Sequence, residues 1–356
     1  MGFVVFYSLI ISLWVLDEAA AAVVSCQHKC GNLTIPYPFG VGTANDCSID
    51  NNDFLITCND TFEPPRSFLG GLHVTNISVV DGQMTVMLYM AFDCSDNNIV
   101  DKYSWANLRK FTFSDTRNKF IAIGCDIQAT IEGKISGSYT TGCFSACDSI
   151  DDVVNGSCVG IGCCQTAIPK GLQVYDVRVT SINQQRRNLS FNPCSYAFLA
   201  EESSFSFSST SLQKFNEQTV PVVLEWTIGN QTCEEAKRNS TTYGCGPNTH
   251  CYEPGGAPGY RCNCMDGYEG NPYLASSHGG CQDVDECNKS STCNGLDNIC
   301  KNKNGSYECS CPSGTKKIFA RNSDAIFDCH RPSTKPSNKI LIGGNTVEFP
   351  CGNSSK

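Results

Sequence analysis

The sequence predicts an all-β, disulfide-rich protein: a β-rich, cysteine-stapled N-terminal region followed by two small modules. Three observations indicate this class. The chain of 356 residues contains 25 cysteines, spread from Cys26 to Cys351. The segments between the first cysteines alternate apolar and polar residues, which is typical of half-buried strands. Convincing helical periodicity is absent, and only Cys233–Arg238 is expected to form a short helical turn.

The strands of the N-terminal region are expected where apolar residues recur at every second position. Asp81-Gly82 separates two of these segments and carries the signal of a hairpin turn. Pro221 would place its strand at a sheet edge, because proline lacks an amide donor. The region is long enough for two modest β domains, 26–140 and 141–231. The predicted strands are His73–Val80, Met84–Met90, Lys110–Ser114, Phe120–Gly124, Val174–Thr180 and Val220–Trp226.

The cysteine content and the N-terminus together predict secretion. So many thiols would need metals in a reducing cytosol, whereas an oxidising compartment converts them to disulfides. Phe3–Leu16 is apolar but too short to span a bilayer, and Ala19–Ala22 supplies small residues for cleavage. Residues 1–22 are therefore predicted to be a signal peptide. The absence of Lys and Arg before Phe3 departs from the usual pattern of such peptides.

The surface is predicted to be glycosylated and acidic. The net charge of −9 argues against nucleic acid and against anionic membranes as partners. No second apolar run reaches the roughly eighteen residues of a membrane helix, because Asn345 and Glu348 interrupt the run that begins at Lys339. Asn-x-Ser/Thr sequons are acceptors for N-glycans. They occur at Asn32, Asn59, Asn76, Asn155, Asn188, Asn230, Asn239, Asn288, Asn304 and Asn353.

Residues 233–281 and 283–329 carry six cysteines each, in the same order, with one residue between the fourth and fifth. Neither segment buries enough apolar surface alone, so each needs its disulfides. The remaining residues, 330–356, are rich in Pro, Ser, Asn and Lys and are expected to form a flexible tail. Cys351 in this tail is either a link between two chains or an incidental cysteine.

These two segments resemble an epidermal-growth-factor-like (EGF-like) module followed by its calcium-binding version. The resemblance implies a disulfide pattern for the last twelve paired cysteines. For the first twelve, about 10⁴ pairings are possible and the sequence does not choose among them. Cys163 and Cys164 are expected to have different partners, because a bond between neighbours strains the backbone. The implied disulfides are Cys233–Cys251, Cys245–Cys262, Cys264–Cys281, Cys287–Cys300, Cys293–Cys309 and Cys311–Cys329.

The second module also resembles its family in the residues that hold calcium. Ca²⁺ takes about six to eight oxygen ligands, and acidic residues directly precede Cys287. A Cys287–Cys300 disulfide would bring them to the residues that follow Cys300. The alternative is a module whose acidic linker is merely solvated. The implied ligands are the side chains of Asp283, Glu286 and Asn302 and the backbone carbonyls of Val284 and Ser306.

The order of motifs from Cys26 onwards resembles the extracellular region of plant wall-associated receptor kinases. The motifs are Cys26-x3-Cys30-Gly-Asn-Leu-Thr-Ile-Pro-Tyr-Pro-Phe-Gly40, Gly124-Cys125-Asp126, Gly142–Cys147, Cys158–Pro169, Cys194–Glu201 and Gly267–Tyr273. The resemblance implies a galacturonan-binding domain at 26–140, a cysteine-rich domain at 141–231 and the two EGF-like modules. The family's membrane helix and kinase have no counterpart in this sequence. We interpret the chain as a secreted, receptor-like form or as a truncated or mis-spliced receptor.

The resemblance implies pectin or oligogalacturonides as the ligand. Galacturonate carboxylates require Arg, Lys or bridging Ca²⁺, and sugar faces suit aromatic rings. Residues 26–126 contain seven Lys and Arg against eleven Asp and Glu, so the attraction must be local or bridged by Ca²⁺. Tyr37 and Phe39 either stack on a sugar or anchor a strand to the core. The predicted carbohydrate-binding cluster is Lys102, Trp105, Arg109, Lys110, Arg117 and Lys119; the alternative is a solvated strand edge with a core tryptophan.

The predicted function is therefore non-enzymatic: binding of pectin and calcium by a receptor-like ectodomain in the extracellular space or cell wall. No nucleophile or metalloprotease motif surrounds the five histidines. One alternative is a protein-interaction module that acts through the EGF-like pair, with full-length receptor kinases or wall proteins as partners. Another is a receptor fragment without a function of its own, whose natural form would continue into the plasma membrane.

Overall fold

The protein is built almost entirely from β-strands, in line with the predicted fold class. The computed structural model describes residues 26–42, 47–50, 53–94, 103–134, 138–182, 189–215, 217–289, 292–293, 298–319 and 327–331. The predicted signal peptide, Lys102, Cys351 and nearly all of the predicted tail lie outside these residues. No helix within the described ranges is long and apolar enough to cross a bilayer.

The strands before residue 230 are short to medium in length, and the predicted segments all fall within or overlap them. In chain order they are β1 (Lys29–Cys30), β2 (Leu33–Thr34), β3 (Gly40–Val41), β4 (Leu55–Asn59), β5 (Arg66–Leu69), β6 (Leu72–Ser78), β7 (Gln83–Tyr89), β8 (Ala91–Cys94), β9 (Tyr103–Asn107), β10 (Thr112–Phe113), β11 (Asn118–Ile123), β12 (Ile127–Lys134), β13 (Ser138–Ser145), β14 (Cys163–Thr166), β15 (Val174–Ser181), β16 (Cys194–Glu201) and β17 (Thr219–Glu225).

β1 and β2 form a two-stranded sheet of their own, and three larger sheets hold β3 to β17. A seven-stranded sheet has the order β10-β17-β7-β6-β5-β4-β3, and two four-stranded sheets have the orders β14-β11-β16-β8 and β13-β12-β15-β9. The hairpin predicted at Asp81-Gly82 joins β6 to β7, where Ser78 pairs with Gln83. Gly82 has a φ of +62°, which glycine adopts without the steric cost of a Cβ atom.

The predicted edge position of Pro221 is wrong, because β17 lies between β10 and β7. Proline is tolerated there since β10 pairs only with Leu224 and Glu225. Next to β10, the buried side chain of Asn118 takes the place of a paired strand: it accepts a hydrogen bond from the Val223 N–H and donates one to the Val223 carbonyl. The amide that proline lacks therefore falls outside the β10 pairing.

One continuous apolar core is shared by the three sheets. Its aromatic centre holds Phe39, which lies 5.0 Å from Phe54 and 5.3 Å from Trp226 between ring centroids. The β14-β11-β16-β8 sheet is buried on both faces, with Phe120 on one side and Ile121 on the other. A sheet covered on both faces requires consecutive apolar residues, which explains the uninterrupted run in β11.

Few helices interrupt the strands. Thr232 caps the second α-helix reciprocally with Glu235: each side chain accepts from the other residue's backbone N–H. This helix coincides with the short turn predicted at Cys233–Arg238. The α-helices are α1 (Thr210–Gln213) and α2 (Cys233–Lys237), and 3₁₀ turns lie at Ile150–Asp152, Glu202–Ser204, Ser276–His278 and Glu286–Asn288.

The chain forms two compact units, and the division does not fall between the β-rich region and the first module. The larger unit contains the described residues up to Met265 together with Gly270–Gln282; the smaller contains Asp266–Glu269 and the described residues from Asp283 onwards. The later strands are β18 (Thr249–Tyr252), β19 (Arg261–Cys264), β20 (Tyr268–Glu269), β21 (Gln282–Asp283), β22 (Ile299–Lys303), β23 (Ser306–Ser310), β24 (Lys316–Phe319) and β25 (Phe327–His330).

The first module shares the core of the β-rich region within the larger unit. Tyr260 exchanges two backbone hydrogen bonds with Ile228, of 2.9 and 3.1 Å. Arg261 is buried, and its Nε donates to the Trp226 carbonyl while its guanidinium lies 3.4 Å from Glu225. These contacts join the module to the end of β17 through apolar burial, backbone pairing and an ion pair.

Candidate functional site

The loop that carries the predicted calcium ligands lies in the smaller unit, next to the β22–β23 hairpin. The Cys287–Cys300 disulfide ties the segment after Asp283 to β22. The Asn302 Nδ2 atom donates to Asp283 Oδ2 over 2.7 Å. The Gly305 N–H donates to the other carboxylate oxygen of Asp283. The structure therefore brings two of the predicted ligand side chains into direct contact.

Gly305 supports this loop and is absent from the predicted set. Asn304-Gly305 forms the two-residue turn between Lys303 and Ser306, and Gly305 has a φ of +70°. A Cβ atom at this position would also lie 2.7 Å from the ring of Tyr268. Asn-Gly between two short strands is a hairpin signal, so the sequence contained the information needed to find this residue.

Two of the predicted ligand oxygens are buried without a hydrogen-bond partner: Glu286 Oε2 and Asn302 Oδ1. Buried polar atoms in proteins are nearly always hydrogen-bonded, and an unsatisfied one costs about 1–3 kcal/mol, more for a charged group. Bound Ca²⁺ would satisfy both atoms, because it accepts carboxylate and amide oxygens as ligands. The residues present therefore fit a calcium ion.

The two predicted backbone ligands, the carbonyls of Val284 and Ser306, lie close in sequence to Glu286 and Asn302, respectively. The Val284 N–H donates to the Gly267 carbonyl, and the Val284 carbonyl accepts from the Glu286 N–H over 3.1 Å. A carbonyl oxygen has two lone pairs, so this acceptor keeps one for a cation. Ser306 begins β23 opposite Lys303. Within the described residues, no three His, Cys, Asp or Glu side chains converge; carboxylate, amide and carbonyl oxygens are instead the ligands that Ca²⁺ prefers.

The predicted carbohydrate cluster is not a patch of unpaired cations. Lys102 lies outside the described residues. Arg109 is exposed in the turn after β9, with a φ of +53°. The other three cations already face carboxylates of the protein, which offsets their attraction for a sugar acid. These pairs are Lys110 with Asp50 and Asp53 (3.3 and 3.4 Å), Arg117 with Glu201, and Lys119 with Glu202 (3.8 Å).

The aromatic residues considered for sugar stacking have opposite placements. Trp105 lies on β9 and is exposed, so the alternative of a core tryptophan does not describe it. Phe39 is in the core, and Tyr37 is half-buried with its carbonyl accepting from Asn271 Nδ2 over 2.6 Å. Phe39 therefore anchors its segment to the core, as the second alternative for this residue states.

A cation–aromatic cluster on β5 and β6 was missed from sequence. The Arg66 guanidinium lies 4.5 Å above the ring of Phe62, and the rings of Phe68 and His73 are 5.5 Å apart. Partial burial, and then the charge of Arg66, lower the pKa of His73. Arg66 is exposed and has no acidic partner among the described residues. Because side chains alternate between the two faces of a strand, the sequence Arg66-Ser67-Phe68 would have predicted Arg66 and Phe68 on the same face of β5.

All cysteines in the described residues form disulfides, including the six pairs that the resemblance implies. Cys163 and Cys164 have different partners, as expected. The pairs among the first twelve cysteines are Cys26–Cys47, Cys30–Cys58, Cys94–Cys194, Cys125–Cys147, Cys143–Cys164 and Cys158–Cys163.

Most predicted glycosylation sites lie at the surface. Asn188 and Asn353 fall outside the described residues, and Asn59 is half-buried. An exposed asparagine is what attachment of a glycan requires. The exposed sequon residues are Asn32, Asn76, Asn155, Asn230, Asn239, Asn288 and Asn304.

Three family models match successive parts of the chain. Residues 26–88 match the wall-associated receptor kinase galacturonan-binding domain, residues 155–235 the wall-associated kinase domain, and residues 283–329 the calcium-binding EGF domain. None of these three is a catalytic kinase domain. The last match coincides with the module that holds the two unpartnered oxygens. The matches describe a receptor-like ectodomain, which fits an extracellular or cell-wall location.

Curated relatives agree with the family models. The chain is 37% identical to wall-associated receptor kinase 2 of Arabidopsis thaliana, over 91% of this chain and 43% of the relative. It is 37% identical to wall-associated receptor kinase 1 of the same plant, over 82% of this chain and 39% of the relative. The chain thus spans about two fifths of the length of these relatives. Over about nine tenths of its length the chain is a homologue of the extracellular region of the wall-associated receptor kinases.

Proposed function

We propose that this chain binds calcium through its second EGF-like module and pectin through its N-terminal region. The observation that carries the proposal is two buried, unpartnered oxygens, Glu286 Oε2 and Asn302 Oδ1, the second on a side chain that donates to the Asp283 carboxylate. Those three side chains, with the carbonyls of Val284 and Ser306, would hold the ion. Bound Ca²⁺ would supply a positive centre that cross-links the segment before Cys287 to the β22–β23 hairpin.

Calorimetric titration of the secreted, oxidised protein with Ca²⁺ tests this assignment. The expected dissociation constant is about 10⁻⁴ to 10⁻³ M, as for extracellular modules. Glu286→Gln keeps the shape of the side chain, removes its charge and is expected to weaken binding about tenfold. Glu308→Gln is the matched control, because Glu308 belongs to the same module but is exposed and pairs with Lys303. Equal affinities for the two variants would contradict the proposed ligand set.

The pectin proposal is supported by the family model that covers residues 26–88. Within that segment, Arg66 offers an exposed guanidinium next to the rings of Phe62 and Phe68. A guanidinium binds a carboxylate through two parallel hydrogen bonds, and a neighbouring ring suits the sugar face. In the predicted cluster, Arg117 already pairs with Glu201, so a galacturonate carboxylate would have to compete with Glu201 for this guanidinium. We therefore place the galacturonate site on β5 and β6.

Titration with de-esterified oligogalacturonides, with and without Ca²⁺, tests the pectin proposal. Arg66→Gln is expected to weaken binding about tenfold, whereas Arg117→Gln is expected to change it less than about twofold. The reverse result would return the site to the predicted cluster. Absence of saturable binding in both calcium conditions, for a protein shown to be folded, would refute pectin binding by this chain.

A second candidate function is protein binding through the second module. Its strands expose large apolar side chains, which is unusual for a surface without a partner. The residues are Ile299, Tyr307, Ile318 and Phe319. Association with a full-length receptor ectodomain or a wall protein is then expected to be lost in an Ile318→Ser/Phe319→Ser double variant. It is also expected to be unaffected by added oligogalacturonide, which separates this candidate from the pectin proposal.

A further inference from the structure

An aromatic groove in the larger unit has no role in the proposed calcium or galacturonate sites. It encloses about 740 Å³, within the usual range of ligand sites. Tyr89, Tyr103 and Trp105 line its rim and are 70%, 58% and 67% exposed. Phe92 and Tyr196, directly paired across β8 and β16, line it further in. Such a contiguous set of exposed rings marks an interaction site.

The sheet framework holds the rim rings in place. Tyr103 and Trp105 alternate with the buried Ser104 on β9, so both rings project from one face about 7 Å apart. The Ser104 hydroxyl donates to the Tyr89 carbonyl over 2.7 Å, which fixes β9 against the end of β7. Phe215 packs on Tyr196 with ring centroids 5.3 Å apart. The rings are therefore organised before any ligand arrives.

The polar lining identifies the kind of ligand. Glu217 and Gln218 lie beside the rings, and Glu217 is the one charged residue among the described lining residues. A carboxylate accepts hydrogen bonds and needs donors, which sugar hydroxyls supply while the C–H face of the ring stacks on an aromatic. A proline-rich peptide, the other usual ligand of aromatic grooves, offers mainly carbonyl acceptors. A galacturonate carboxylate would be repelled by Glu217.

We propose that this groove binds a chain of uncharged pyranose sugars. Trp105 and Tyr103 stack on successive sugar faces, and Glu217 accepts from their hydroxyls. This is a second carbohydrate site, separate in residues and in charge preference from the galacturonate site proposed on β5 and β6. Methyl-esterified galacturonan and neutral wall glucans share the required chemistry.

Tryptophan fluorescence reports on this groove directly. The sequence has three tryptophans: Trp14 lies in the predicted signal peptide, Trp226 is 1% exposed, and Trp105 lines the groove. Acrylamide therefore quenches mainly Trp105 in the secreted protein. The probes are fully methyl-esterified oligogalacturonide, cello-oligosaccharide of the same length, de-esterified oligogalacturonide and a proline-rich peptide. Trp105→Phe, which removes the reporter but keeps a ring, should abolish the signal change.

An uncharged oligosaccharide is expected to protect Trp105 from quenching, with de-esterified oligogalacturonide binding about tenfold more weakly. Whichever uncharged probe protects identifies the source of the ligand. Tyr103→Ala is expected to weaken binding about tenfold, while Phe144→Ala, an equally exposed ring on β13 outside the groove, leaves it unchanged. Arg66→Gln also leaves it unchanged, so failure of the galacturonate proposal does not affect this test.

Three outcomes would overturn the inference. Equal protection of Trp105 by de-esterified and esterified oligogalacturonide would remove the role assigned to Glu217. Protection by the proline-rich peptide alone would make the groove a peptide site. Protection by none of the probes, in a protein shown to be folded, would leave the exposed rings without a sugar ligand.

Discussion

The two EGF-like modules have the same order of cysteines and the same disulfide connectivity but obtain their stability differently. In the first module, Tyr260 and Tyr273 are buried in the core of the larger unit, and Arg261 is paired with Glu225. In the second module, the buried apolar residues among those described are Phe327 and the disulfide-bonded Cys329. The first therefore rests on a shared core, and the second on its disulfides and on the ion proposed for its loop.

This difference shows that a cysteine pattern determines the path of a small module but not what stabilises it. Three disulfides restrict the unfolded chain in both modules to a similar extent, because their loops have similar lengths. The remaining stabilisation comes from groups between the cysteines. Aromatic residues at 260 and 273 direct the first module into a core. The second module instead has two unpartnered oxygens, on Glu286 and Asn302, for the calcium ion proposed above.

The largest expected effect comes from removing the last disulfide of each module. Cys264–Cys281 and Cys311–Cys329 close loops with sequence separations of 17 and 18, so the chain-entropy loss is about 3 kcal/mol in both. The Cys311→Ala/Cys329→Ala double variant is expected to unfold the second module and abolish calcium binding. The Cys264→Ala/Cys281→Ala double variant should leave the first module folded, because its apolar core remains.

Hydrogen exchange measured module by module distinguishes these outcomes. The two double variants serve as controls for each other, because they remove the same bond from loops of nearly equal length. Equal loss of protection in both modules would show that the shared core adds nothing to the first, and the comparison would fail.

The next largest effect is expected at the ion pair between the first module and β17. Arg261→Met keeps most of the aliphatic volume but removes the cation beside Glu225, whose carboxylate then retains the Ser114 hydroxyl as a donor. We expect this loss of the ion pair to cost about 3 kcal/mol. Urea unfolding of the oxidised protein measures this loss. Arg178→Met is the control: Arg178 also pairs with a carboxylate, that of Asp176, but is exposed, so the change should stay below about 1 kcal/mol. Similar losses for both variants would contradict a special role for Arg261.

Calcium is expected to act on the second module alone. At a Ca²⁺ concentration about 100 times the dissociation constant, binding to the folded state adds about 2.7 kcal/mol. Proteolysis or hydrogen exchange of residues 298–319 should slow accordingly, while residues 249–264 of the first module should be unaffected. At the same Ca²⁺ concentration, Glu286→Gln, with its tenfold weaker binding, should reduce this stabilisation to about 1.4 kcal/mol without changing the calcium-free rate. Stabilisation of both modules to the same extent would indicate a site other than the one proposed.

Sequence reasoning succeeded where the controlling interactions are local. The apolar pattern predicted six of the strands and Asp81-Gly82 predicted the β6–β7 hairpin. Thr232 and Glu235 cap the helix where a helical turn was expected. Sequence reasoning failed where partners are distant in the chain: Lys110, for example, pairs with Asp50, 60 residues away. Three cations of the cluster predicted to bind carbohydrate therefore face carboxylates in the fold. The calcium set came from a resemblance to a family, and the structure adds the two unpartnered oxygens that spacing alone does not show.

The joining of the first module to the β-rich region was also beyond sequence reasoning. It depends on Trp226 packing on Tyr273, with ring centroids 5.5 Å apart, and on backbone pairing between Ile228 and Tyr260. In the sequence, Trp226 and Ile228 belong to the predicted β-rich region, whereas Tyr260 and Tyr273 belong to the first module. Only the three-dimensional arrangement shows that one core includes both.

The smallest predicted effect depends on pH and concerns the buried Tyr273 of the first module. The Tyr273 hydroxyl accepts from the Cys262 N–H over 3.1 Å, and burial raises the pKa of Tyr273 above its ordinary value. The neutral phenol is therefore favoured in the folded state. The stability that this preference for the neutral phenol contributes is complete below the pKa of about 10 in the unfolded state. It is lost as the pH rises towards the pKa of Tyr273 in the folded state.

Tyr273→Phe should thus cost about 1 kcal/mol at neutral pH through the lost hydrogen bond, and this deficit should shrink above about pH 10. Unfolding in urea from pH 7 to 11 measures both parts of the prediction. Tyr307→Phe, at an exposed ring of the second module, is the control and should change the stability at pH 7 by less than about 0.5 kcal/mol. A deficit for Tyr273→Phe that stays constant across this range would mean that the phenol ionises as easily in the folded state as in the unfolded one. The first module would then be open to water at Tyr273, and the contrast between a core-supported and an ion-supported module would have to rest on Arg261 and Tyr260 alone.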